Sequence, residues 1–113
     1  MFASPAGMND EQPPHALPVA LVDAELADLV PRYLNNRWSD LSHGHSLLAA
    51  REFDQLAGMG HRIRGSASSY GFDGLGEIAT KMQQAALDAD AVELKRLLSR
   101  FERYLRDVRI RYL

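Results

Sequence analysis

An all-α fold, specifically an antiparallel up-down-up-down four-helix bundle, is what this sequence predicts, on three observations. Apolar residues from Asp23 onward recur at steps of three and four, the period of a helix with one buried face. No segment alternates with period two for long enough to suggest a strand. The connections between periodic segments are short, which sets successive helices side by side and antiparallel. Each helix is weak alone and is held by burying its stripe against the other three.

Residues 1–18 hold four of the five prolines among small and polar residues, and are read as a flexible tail ahead of a bundle spanning 19–113. Asp23 can cap the first helix, with Glu25 in its first turn. Leu26, Val30, Tyr33, Leu34, Arg37, Trp38 and Leu41 then form its stripe. Pro31 removes a backbone donor, so it either kinks this helix or marks its proper start. The helix ends near His43-Gly44-His45 or continues to about Leu48, and Ala49–Glu52 reads as a tight connection.

The second helix is expected from about Glu52 to Tyr70, with Phe53, Leu56, Gly60, Ile63, Ala67 and Tyr70 on its apolar side and Gly71 as its stop. Asp73 can cap the third, which buries Leu75, Ile78, Ala79, Met82, Ala85 and Ala86. Asp90 followed by Glu93 resembles a capping box and opens the fourth helix. Leu94, Leu97, Leu98, Phe101, Tyr104, Leu105, Val108 and Tyr112 give that helix a stripe running to the C-terminus, a length of about 35 Å.

Composition narrows the function. The chain has 113 residues, is 46% hydrophobic and 25% charged, and fits one domain with one core. Its net charge is −2 and its pI near 6.0, against the basic domain expected of a nucleic-acid binder. It has no cysteine, which excludes disulfides and thiolate zinc sites and suits a reducing cytosol. No apolar run approaches the ~20 residues of a membrane span. The N-terminus lacks the basic start and apolar stretch of a secretory signal. The expected location is the cytoplasm, and a monomer is the default because four helices can satisfy one another.

The second helix carries the chemistry. His61, Arg64, Gly65 and Ser68 share a face distinct from the apolar stripe. A neutral imidazole in water is a good phosphoryl acceptor. The added group carries close to two negative charges, so a cation beside it is stabilising. Arg64 stands one turn along, with Arg62 a second cation. Gly65 leaves bare backbone for another protein to approach, and a mid-helix glycine costs about 1 kcal/mol against alanine, which argues for a reason. Gln83, on the next helix, can accept a hydrogen bond from the ring and orient it.

Two other patterns carry less. His43 and His45 are two residues apart and face different directions, with no third ligand, so no metal site is expected. Arg100, Arg103, Arg106 and Arg109 recur at steps of three, but Glu102 and Asp107 interleave, as on a solvated face.

With these residues in place, the chain resembles the histidine-containing phosphotransfer (HPt) domains of two-component phosphorelays. Their pattern is a histidine, two variable residues, a lysine or arginine, a glycine, small residues and a second glycine ahead of the next helix. His61, Arg64, Gly65, Ser66 and Gly71 match it in order. Gln83 stands twenty-two residues after the histidine, where members usually carry Gln or Glu, and Leu29-Val30-Pro31-Arg32-Tyr33-Leu34 resembles the first helix of many. The likeness covers roughly residues 23–113. Arg64 replaces the commoner lysine, and Gly60 precedes the histidine as a modest local weakness in the helix.

The resemblance implies a phosphocarrier with no kinase or nucleotide-binding module of its own. His61 would accept a phosphoryl group through Nε2 from a receiver aspartate and pass it to another. Arg64 would screen its charge, Gln83 would orient the ring, and Gly65, Ser66 and Arg62 would line the partner's approach. Implied partners are the receiver domains of response regulators and of hybrid sensor kinases, with magnesium on the receiver and no cofactor on this chain. The competing expectation is a helical module that binds receivers or kinases without carrying phosphate.

Overall fold

Pro31 decides where the first α-helix begins. In a computed structural model of the chain, which describes residues 17–113, residues Ala24–Leu29 form a 3-10 helix and α1 (Val30–Ala49) starts immediately after, with the proline in its first turn. The ring's missing N–H is one the first turn leaves unpaired in any case. Asp23 caps the 3-10 segment, its carboxylate accepting from the Glu25 N–H at 2.9 Å. The helix does not fray at His43–His45 but runs on to Ala49.

Three further helices follow: α2 (Phe53–Tyr70), α3 (Asp73–Leu87) and α4 (Ala91–Asp107). The all-α four-helix bundle is thus the observed architecture. Its core holds every apolar residue expected on the third helix, together with Leu56, Ile63 and Ala67 from α2 and Leu94, Leu97, Leu98 and Phe101 from α4. Each fully buried leucine or phenylalanine contributes about 1.5–3 kcal/mol relative to exposure, and these positions join the helices into one cluster. Gly71 ends α2 with φ of 97°, a left-handed conformation open to glycine. The turns before α2 and before α4 instead place Arg51 and Ala89 in the left-handed region (φ 57° and 53°), with no glycine to signal them.

Three expectations are corrected. Asp73 does not cap α3: it is the first helical residue, Phe72 occupies the cap, and no side chain bonds there. Asp90 does cap α4, accepting from the Glu93 N–H at 3.0 Å, but the Glu93 carboxylate pairs with Arg96 instead of reaching back.

The largest correction concerns the ends. The fourth helix stops at Asp107, a length of about 25 Å. Residues Arg109–Tyr112 form a strand, β2, that pairs in parallel with β1 (Val19–Val22). The pairs are Val19 with Arg109, Ala20 with Ile110, Leu21 with Arg111 and Val22 with Tyr112. Ala20 and Val22 are buried in the core, whereas Tyr112, expected on the apolar stripe, is 47% exposed. Of the expected tail 1–18, residues 1–16 lie outside the described residues. No helix among the described residues is long and apolar enough to cross a membrane.

Candidate functional site

The close pairing of α2 with α3 fixes where the His61 face points. A Cβ on Gly60 would lie 2.7 Å from the Ala79 carbonyl oxygen and 2.8 Å from the Gln83 backbone nitrogen. Only glycine lets the two backbones approach so closely. Gly60, read from sequence as a weak spot in the helix, is the contact that brings them together. One residue on, His61 is exposed on the outer side of α2, while Ile63 and Ala67 on the opposite side are buried.

Arg64 reaches back along the helix, and its Nη2 stands 3.4 Å from His61 Nδ1. A guanidinium only donates. A hydrogen bond between them therefore requires the lone pair on Nδ1, the tautomer with its proton on Nε2. The contact is exposed and long, so it orients both groups more than it binds them.

Gly65 is the reverse of Gly60. A Cβ built there meets nothing within 4 Å. The surface beside the imidazole is bare backbone, and no packing inside the chain requires it. Arg62 is exposed on the neighbouring flank of α2, its guanidinium lying near Gly58.

Ser66 and Gln83 occupy different settings from these. The Ser66 hydroxyl is half-buried and turned toward α1, 2.9 Å from the Tyr33 hydroxyl and 3.2 Å from Arg37 Nη1, which donates to it. Arg37 also lies 4.5 Å from the Tyr33 ring centroid and pairs with Asp40 at 2.9 Å. Tyr33 stacks with both Tyr70 and Phe72, with centroids 4.3 and 5.5 Å away. This knot locks the rotation of α2 against α1. Tyr33 and Arg37 lie on the first helix's expected apolar stripe, and their spacing of four is the signal in the sequence for a shared contact. Gln83 is half-buried across from Gly60, and among the described residues no hydrogen bond joins its side chain to the ring.

An open groove of about 250 Å³ continues from the site between α2 and α3, lined by Arg64, Ser68, Asp73, Gly76, Glu77 and Thr80. His43 and His45 are exposed on α1, and no cluster of three metal-ligating side chains occurs among the described residues. The arginine stripe is interrupted: Arg106 pairs with Glu102 at 3.5 Å, and Arg109 stands on β2.

The site thus combines an exposed imidazole, a guanidinium at its Nδ1 and an unobstructed stretch of backbone. That set can accept an anionic group from a docked macromolecule. Against this geometry, the family model of the Hpt domain matches residues 25–109. Neither the curated proteins nor the solved structures include a match to the chain.

Proposed function

This chain belongs to the Hpt domain family, and on that premise we propose that it relays a phosphoryl group between receiver-domain aspartates through a phosphohistidine at His61. The family acts in two-component phosphotransfer as a carrier. One observation carries it: an exposed imidazole with Arg64 at 3.4 Å and open backbone at Gly65 beside it.

The Nε2 lone pair attacks the phosphorus of a receiver aspartyl-phosphate in line. The N–P bond forms as the P–O bond to the aspartate breaks, and the carboxylate leaves with its electron pair. Attack through Nε2 requires the ring proton on Nδ1, where the Arg64 guanidinium now stands. Arg64 therefore moves from the ring to the incoming phosphoryl oxygens, exchanging a weak contact for a charge-assisted one. In the onward step an aspartate oxygen of the second receiver attacks phosphorus and the imidazole leaves. By a rotation of its side chain, the Gln83 carbonyl oxygen accepts a hydrogen bond from the Nδ1–H and holds the ring. Gly65 and Arg62 lie along the approach, and Ser66 serves it indirectly by holding α2. The magnesium ion belongs to the receiver in this scheme.

The test is incubation with a phosphorylated receiver domain, comparing wild type with His61→Gln. Acid-labile, alkali-stable label is expected on wild type alone. Equal labelling of both proteins removes His61 as the acceptor, and no label on either leaves a binding module without transfer.

A further inference from the structure

The two-stranded sheet has one covered edge and one open edge. The observed ladder bonds run from the Arg109 N–H to the Pro18 carbonyl (2.8 Å) and from the Leu113 N–H to the Val22 carbonyl (2.9 Å). In this register the odd-numbered residues of β2 turn their backbone groups toward β1, and Ile110 and Tyr112 turn theirs away. On the far side of β1, the Leu21 carbonyl rests against Gly71, so the turn between α2 and α3 covers that edge. Among the described residues no helix packs closely beside β2, and no backbone bond to Ile110 or Tyr112 occurs. An open strand edge is a template for another strand.

Paired residues of a parallel ladder project to the same face. Val19 and Leu21, each 53% exposed, therefore share the outer face with Arg109 and Arg111, which are also exposed. Neither arginine has an ion pair among the described residues. An incoming strand would set alternate side chains beside these two cations, and the intervening ones beside Ile110 and Tyr112.

We propose that the free edge of β2 binds an extended partner segment by strand addition, and that this segment alternates acidic and apolar residues. The acidic positions lie beside Arg109 and Arg111, where opposite charges across strands are favourable. The apolar positions continue the inner face past Ile110 and Tyr112. The backbone ladder gives affinity and the alternation gives selection. A second copy of this chain is a poor occupant, because pairing two β2 edges brings arginine against arginine. The surface is at the Gly71 end of α2, about 15 Å along the helix from His61, so a bound strand leaves the imidazole free.

The probe is an eight-residue capped peptide alternating Glu and Val, titrated into the full chain and followed by backbone amide NMR and hydrogen exchange. The expected result is chemical-shift change and slowed exchange at the Ile110 and Tyr112 amides. The Arg109→Glu/Arg111→Glu protein should bind it about tenfold more weakly and should prefer the Lys/Val counterpart. The milder Arg109→Gln/Arg111→Gln protein guards against a folding defect and should fall between the two. Equal binding of a Glu-rich peptide whose alternate residues are proline would reduce the surface to bare charge attraction and overturn strand addition. Amides already protected before peptide is added overturn it too, assigning the edge to residues 1–16 if independent of concentration or to a second copy if concentration-dependent. Absence of binding at millimolar peptide also overturns it.

Discussion

Gly65 sits mid-helix with no internal neighbour, and a glycine there costs the helix about 1 kcal/mol against alanine. Gly65→Ala should therefore stabilise the fold by about 0.5–1 kcal/mol in urea unfolding. If the bare backbone serves partner approach, the same variant should slow phosphoryl transfer from a receiver; unchanged transfer would take Gly65 out of the site. His61, Arg64 and Gly65 were legible in sequence because helical spacing alone brings them to one face, and the 3.4 Å contact between His61 and Arg64 is a local one. The setting of Ser66 was not legible. Its hydroxyl answers to Tyr33 and Arg37 on another helix, and no local pattern encodes a partner more than twenty-five residues away.

At the scale of elements, Gly60 gives the opposite expectation from Gly65 for the same substitution. Alanine is the better helix former, yet its Cβ would meet backbone atoms of α3 at 2.7 and 2.8 Å. Backbone cannot rotate aside as a side chain does, so α2 and α3 must separate. Gly60→Ala should lower stability by about 1–3 kcal/mol, read as a fall in the thermal midpoint, and should disturb the ring's position relative to Gln83. An equal or higher midpoint would show that the two helices are not held at this distance. The caps follow the same division. Asp90 was readable because its bond to the Glu93 N–H is three residues away. The start of α3 was misplaced by one residue because Phe72, fully buried, is fixed by the core and takes the cap position.

For the whole molecule, Tyr104 links the fold to pH. Its hydroxyl is buried without a hydrogen-bond partner among the described residues. Burial pushes its pKa from 10.0 up to about 12, Asp73, Tyr33 and Glu77 push the same way, and the nearby Leu75 amide offsets this in part although it lies outside good hydrogen-bonding geometry. A raised folded-state value means that the fold favours the protonated, neutral hydroxyl. That contribution is fully present below pH 10 and is lost as pH rises from 10 toward about 12. Tyr104→Phe should be nearly neutral at pH 7, within about 1 kcal/mol, and should flatten the loss of stability between pH 10 and 12. Parallel alkaline unfolding curves for the two proteins would mean that the hydroxyl is already solvated in the native state.

The period of the apolar residues was enough for four helices, for most of the core and for the face that carries His61, because each of these follows from spacing within one segment; buried Met59 and Phe72 fall outside the stripes it marks. The strands were decided only by tertiary structure. Val19-Ala20-Leu21-Val22 and Arg109-Ile110-Arg111-Tyr112 are four residues each, too short for a period to register, although β-branched and alternating residues were there to be noticed. An isolated pair of strands is marginal in water. These become stable because the bundle brings the two ends of the described chain together and buries Ala20 and Val22. Closing that loop is the work of the helices, and no local preference of either strand can record it.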